Sequence, residues 1–131
     1  MLTIKVWCLS ALSQKKLENL FWNLVDAVES VKVMVSIGHV GPGNILVLFP
    51  KDHMKLGLGS EVLVEVDGIN NDPRNTLLVR NELAEKLGSV VQEVFPEAQI
   101  DCKVHKAEPT TGTWRSERKK VLVEKRPKVK R

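Results

Sequence analysis

The sequence predicts an α/β fold of two β-α-β halves, four strands and two helices. Three observations predict it: two-residue apolar alternation at both ends of the body, two helical apolar stripes, and repetition of the same element order. Leu2, Ile4, Val6 and Cys8 alternate with Thr3, Lys5 and Trp7, the period of a strand with one buried face. Ser13 opens a helix, since its hydroxyl can accept an orphan backbone N–H, and Leu12 and Leu17 are placed for a hydrophobic staple. Leu17, Leu20, Phe21, Leu24 and Val28 then fall on one helical face.

Val31–Val35, apolar with one lysine, allows a short strand in addition to the four, after which Gly38, Gly41, Pro42 and Gly43 interrupt regular structure. The unbroken apolar run Ile45–Phe49 ends at Pro50 and predicts a central parallel strand buried on both faces. A loop over Lys51–Ser60 leads to Glu61–Asp67, where Val62, Val64 and Val66 again alternate with polar neighbours. Asp72-Pro73 supplies a capping carboxylate and a proline, and so predicts a helix from there to about Phe95. Its buried stripe is Leu83, Leu87, Val90, Val91 and Val94, and Pro96 stops it. Ile100, Cys102 and Val104 mark the last strand.

Length and charge bound the rest. The 131 residues fit one domain over 1–114, and 43% apolar content is enough for a core. Segment 115–131 is a basic tail, with nine Lys/Arg against Glu117 and Glu124, net +7. The whole chain is +4, so the body is mildly acidic and has no basic footprint of a nucleic-acid-binding core. Two cysteines without a CxxC pair exclude a disulfide-dense scaffold and a zinc framework. No run is long and apolar enough for a signal peptide or a membrane span, so the expected location is cytoplasmic.

Helices of this length imply parallel crossovers with both helices on one face of a four-stranded mixed sheet. Two architectures share the order. The ferredoxin-like fold interleaves its units, whereas the tautomerase-like fold keeps each β-α-β pair adjacent. The ten-residue middle connection favours the second.

Phe49-Pro50-Lys51-Asp52-His53-Met54-Lys55-Leu56-Gly57-Leu58-Gly59-Ser60-Glu61 resembles the strand-end loop of the tautomerase superfamily, in its macrophage migration inhibitory factor-like branch. Asp101-Cys102-Lys103-Val104-His105 through Gly112-Thr113-Trp114 is similar to the end of the same branch. The resemblance implies a homotrimer with clefts between subunits, proton-transfer chemistry on small anionic carbonyl compounds, no cofactor, and an N-terminal proline as base. Leu2 stands where that proline is expected, and a residue of its size should leave Met1 attached. Proline-dependent tautomerisation is therefore not expected.

Lys32 falls where the family often has a lysine for an anionic substrate, although the bland reading is a solvated loop lysine. Asp101 and Lys103 fall where the branch places an aromatic and an amide facing the neighbouring cleft; by themselves they read as an exposed charged strand face. Trp114 reads as a subunit-interface residue or an aromatic cap. His39, His53 and His105 lack metal-pair spacing and read as neutral surface or loop histidines, so no metal is expected. Cys8 and Cys102 lie on apolar phases and read as buried thiols. The Gly38–Gly43 glycines lead into a strand rather than a helix, which argues against a phosphate loop. The tail could solubilise, contact nucleic acid or an acidic partner, or add Val121-Leu122-Val123 as a strand to a neighbouring subunit. The alternatives to a tautomerase-like protein are a ferredoxin-like nucleic-acid-binding module using that tail, and a non-catalytic structural subunit.

Overall fold

A computed structural model describes residues 1–7, 11–50 and 61–106. Cys8, His53 and the rest of loop 51–60, Trp114 and the basic tail lie outside the described residues. In chain order the elements are β1 (Leu2–Trp7), α1 (Gln14–Glu29), α2 (Lys32–Ser36), β2 (Ile45–Leu48), β3 (Glu61–Asp67), α3 (Leu77–Val94) and β4 (Gln99–Val104).

The four strands form one sheet in the order β2-β1-β3-β4. β1 pairs parallel with β2 and antiparallel with β3, and β3 pairs parallel with β4. Each β-α-β unit therefore keeps its two strands adjacent, and the halves join back to back through β1 and β3. Interleaving is absent, which overturns the ferredoxin-like alternative.

Strand alternation decides which face is covered. Leu2, Ile4, Val6, Val62, Val64 and Val66 are buried with Leu20, Leu24, Val28, Leu83, Leu87 and Val91 in one core beneath the helices. The opposite phase, including Thr3, Lys5, Trp7, Leu63, Glu65, Asp101 and Lys103, forms a face that no described helix covers. Ser13 caps α1 as expected, accepting from the Lys16 backbone N–H at 3.3 Å. At the other end of α1, Lys86 Nζ donates to the Ser30 carbonyl and hydroxyl at 3.3 and 3.1 Å. A cation there also opposes the negative end of the helix dipole.

Three local expectations fail. Residues 32–36 form the one-turn helix α2 rather than a strand, because Met34 turns into the core while Val35 stays exposed. Period-2 apolar content was misleading where three- and four-residue spacing was also satisfied. β2 is an edge strand, not a central one, with Leu46 and Leu48 at 41% and 40% exposure. Its apolar run divides between Ile45 and half-buried Val47 on the core side and an uncovered flank of Leu46 and Leu48. α3 begins at Leu77, capped by Thr76 through the Val79 N–H at 3.3 Å, not at Asp72-Pro73. Asp72 instead closes a turn, accepting from Arg74 N at 2.9 Å and gripping the same guanidinium.

Candidate functional site

Two neighbouring regions carry polar groups that the core does not require. The first is the end of the sheet where β1 begins and β3 ends. There the chain turns at Gly68, whose φ of +80° and close approach to the Met1 carbonyl oxygen leave no room for a Cβ. The turn carries Ile69 into the core and sets Asn70 against the segment after α2. The Asn70 side chain donates to the Ile37 carbonyl at 2.7 Å, and its backbone N–H donates to His39 Nε2 at 3.1 Å.

His39 is 2% exposed, so it is a buried histidine and not the surface one expected. Its accepting Nε2 requires the neutral ring with the proton on Nδ1. Burial pushes its pKa below the ordinary value of 6.5. Protonation then favours the unfolded chain. The contribution of His39 is complete above pH 6.5 and is lost as pH falls from there toward its folded-state pKa, with a limiting slope of about 1.4 kcal/mol per pH unit. In urea titrations between pH 7.5 and 5, the wild-type midpoint should fall more steeply than that of His39→Gln. Equal slopes would remove the buried neutral imidazole from the account.

Lys32, the first residue of α2, is exposed at this same end. Ser36 shares its helix face by the four-residue spacing and accepts from Arg74 Nη1 at 3.3 Å. The Asp72 carboxylate holds Arg74 at 2.9 and 3.0 Å, and that pairing pulls the Asp72 pKa down to about 2. Arg74 is thereby occupied.

The second region is the uncovered sheet face. Register places Leu48, Lys5, Glu65 and Lys103 in one row across all four strands, and Trp7, Leu63 and Asp101 in the next. Glu65 sits at the centre. It accepts from Trp7 Nε1 at 2.8 Å and lies 3.6 Å from His105 Nε2. Lys5, Trp7, Leu48, Phe49 and Pro50 line a recess of ≈ 420 Å³ at the edge of this face. One ammonium beside an indole and apolar side chains suits a small anion with an apolar body.

The expected cleft residues are thus divided within one chain. Lys32 stands at the mouth of β1, while Asp101 and Lys103 are exposed on β4, on the uncovered face. Leu2 is fully buried on the helix side, and its backbone N–H donates to the Asn44 carbonyl at 3.2 Å. Met1, at 46% exposure, is the residue open at that mouth. Cys102 is half-buried, and burial pushes its thiol up to about 12, which leaves no thiolate at neutral pH. Among the described residues no three His, Cys, Asp or Glu side chains converge as metal ligands.

Sequence reasoning missed His39 and Glu65. Glu65 was legible in part, because it shares the outward phase with Trp7 once β1 and β3 are paired. Nothing local distinguishes His39 from any other loop histidine.

No protein-family model matches the chain, and no curated protein matches it. Solved structures do. Pt0534 inactivated by 2-oxo-3-pentynoate superposes with a TM-score of 0.55 at 19% identity, over 79% of this chain and 85% of that one. A wild-type fused 4-OT, an asymmetric trimer, gives 0.53 at 14% identity over the same shares. A probable enzyme from the thermophilic fungus Aspergillus fumigatus gives 0.55 at 10% identity, over 84% of this chain and 78% of that one. Adjacent parallel β-α-β pairs joined antiparallel at the middle, together with these superpositions, give this chain the tautomerase-like fold.

Proposed function

We propose that this chain is a tautomerase-like homotrimer that binds a small anionic carbonyl compound at its subunit interfaces and lacks proline-dependent tautomerase activity. The observation that carries the reading is the back-to-back pairing of two β-α-β units, in a fold that superposes on a wild-type fused 4-OT, an asymmetric trimer. An uncovered sheet face with partly exposed Leu46 and Leu48 is consistent with burial against further copies. In a trimer, Lys32 of one subunit and Asp101 and Lys103 of another can meet, as they do not within one chain. Trp114 of the segment after β4 is assigned to the same interface. Among the described residues Lys32, Lys5 and Lys103 are cations that a carboxylate can meet, and neither Met1 nor Leu2 supplies a secondary amine as base.

Sedimentation equilibrium should return three times the 14.7 kDa chain mass. Calorimetric titration with phenylpyruvate should show binding that weakens at least tenfold in Lys32→Met or Lys5→Met, with no enol–keto turnover above buffer. A monomer in solution overturns the assembly. Rapid turnover that disappears on acetylation of the terminal amine overturns the reading of Leu2.

A further inference from the structure

Glu65 has a cation on either side and pairs with neither. On the uncovered face it lies directly opposite Lys5 on β1 and Lys103 on β4, positions from which opposite charges ordinarily interact across strands. Its Oε1 instead accepts from Trp7 Nε1 at 2.8 Å, and its Oε2 lies 3.6 Å from His105 Nε2. Among the described residues, no hydrogen-bond or ion-pair partner meets the ammonium of Lys5 or of Lys103.

The bond from Trp7 is diagonal, since its own partner on β3 is Leu63, and an aromatic side chain can reach that far. It has two consequences. The N–H edge of the indole is anchored in the Lys5 row, which fixes the plane of a ring that would otherwise turn freely at the sheet surface. The carboxylate best placed to neutralise Lys5 is also engaged elsewhere, which leaves that ammonium open to an outside anion.

Lys5 and Trp7, with Leu48, Phe49 and Pro50 at the end of β2, line the recess of ≈ 420 Å³, a volume within the range of small-molecule sites. All five residues belong to the described body. Trp7, Phe49 and Pro50 give the recess ring-bearing walls, and Lys5 is its one charged residue. Such walls favour a ring over an alkyl chain, because aromatic groups gain from each other beyond the area they bury.

We infer that this recess holds an aromatic ring of the anionic carbonyl compound. Lys5 meets the carboxylate, Trp7 sets a preference for an aryl over an alkyl body, and Glu65 is a positioning residue acting through the indole. The inference rests on the reading that the chain binds such a compound, and it adds the class: an oxo acid with an aromatic body.

The experiment titrates the full chain, ¹⁵N-labelled at its indoles, with phenylpyruvate, pyruvate and uncharged phenylacetone. Phenylpyruvate should bind at least about tenfold tighter than either of the others, since each of them lacks one of the two groups the recess recognises. The Trp7 Nε1–H resonance, assigned by its loss in Trp7→Phe, should move with phenylpyruvate and hold still with pyruvate. Trp7→Ala should cut the preference for phenylpyruvate over pyruvate at least fivefold. Glu65→Leu should do the same, whereas Glu65→Gln, which keeps an oxygen for the indole N–H, should retain the preference. Both Glu65 variants remove the charge beside Lys5 for the two oxo acids alike, so the ratio isolates the indole. Equal affinities for the two oxo acids, or phenylpyruvate binding that leaves the Trp7 resonance unmoved, would overturn the inference while the anionic carbonyl reading stands. A preference unchanged in Glu65→Leu would overturn the positioning role. Binding of neither oxo acid would remove that reading and the inference with it.

Discussion

Gly68→Ala should lower stability by about 2–4 kcal/mol, the largest effect of a glycine-to-alanine change among the described residues. Two costs combine. The residue has φ +80°, where a Cβ costs about 1–2 kcal/mol. The new methyl would also meet the Met1 carbonyl oxygen, so that the start of β1 must shift from the turn after β3. For a chain of this size, between the small and the 150-residue domains, each kcal/mol lowers the melting temperature by about 4 °C. A thermal melt followed by circular dichroism should therefore fall by roughly 8–16 °C. Gly38→Ala is the control. It shares a positive φ, +97°, but has nothing within 4 Å of an added Cβ, so only the conformational cost applies. Equal melts for the two variants would mean that Met1 does not lie against Gly68.

Leu2→Pro should lose stability and gain no tautomerase activity. Proline is the residue that the resemblance places here, so the substitution tests whether the position belongs to a cleft or to the core. The structure assigns it to the core. Leu2 is fully buried beside Ile4 and opposite Ile45 across the β1–β2 register, and its N–H is committed to Asn44. Truncation of a buried leucine costs about 2–5 kcal/mol. Proline and alanine are both small enough for removal of Met1, so in either variant the nitrogen of residue 2 becomes the terminal amine, and Leu2→Ala should lose about as much as Leu2→Pro in urea unfolding. A Leu2→Pro protein as stable as wild type, turning over phenylpyruvate, would move residue 2 from the core to the mouth of the strand.

The two predictions meet at one junction. β1 enters the sheet between a turn that tolerates no side chain and a loop held by Glu29, whose carboxylate accepts from Gly41 N at 2.7 Å. His39 is buried in the same junction, which couples its proton to the packing of Ile37 and Asn70. Acid should therefore loosen this end of the sheet ahead of the α3–β4 end. There Gln92 Nε2 ties the carbonyls of Phe95, Pro96 and Ala98 at 2.8, 3.1 and 3.1 Å and carries no titrating group.

What the sequence determined by itself was the set of elements with strong, sustained periodicity. β1, α1, β3, most of α3 and β4 all follow from where Leu, Ile and Val recur, since burial of one face is the dominant local constraint. The Ser13 cap was legible for the same reason: a hydroxyl one residue before an apolar helix has one favourable use. Short segments were not. Val31–Val35 satisfies strand and helix periods together, and Asp72-Pro73 makes a turn as readily as a helix start. Tertiary contacts with Met34 and Arg74 decided between them.

The exposure of β2, the burial of His39 and the separation of Lys32 from Asp101 and Lys103 belong to the tertiary structure alone, and the strand order that the middle connection and the resemblance favoured was decided there. Each depends on which strand lies beside which, and pairing joins residues as far apart as Thr3 and Asp67. Alternation tells a residue which face it occupies but never which neighbour it faces.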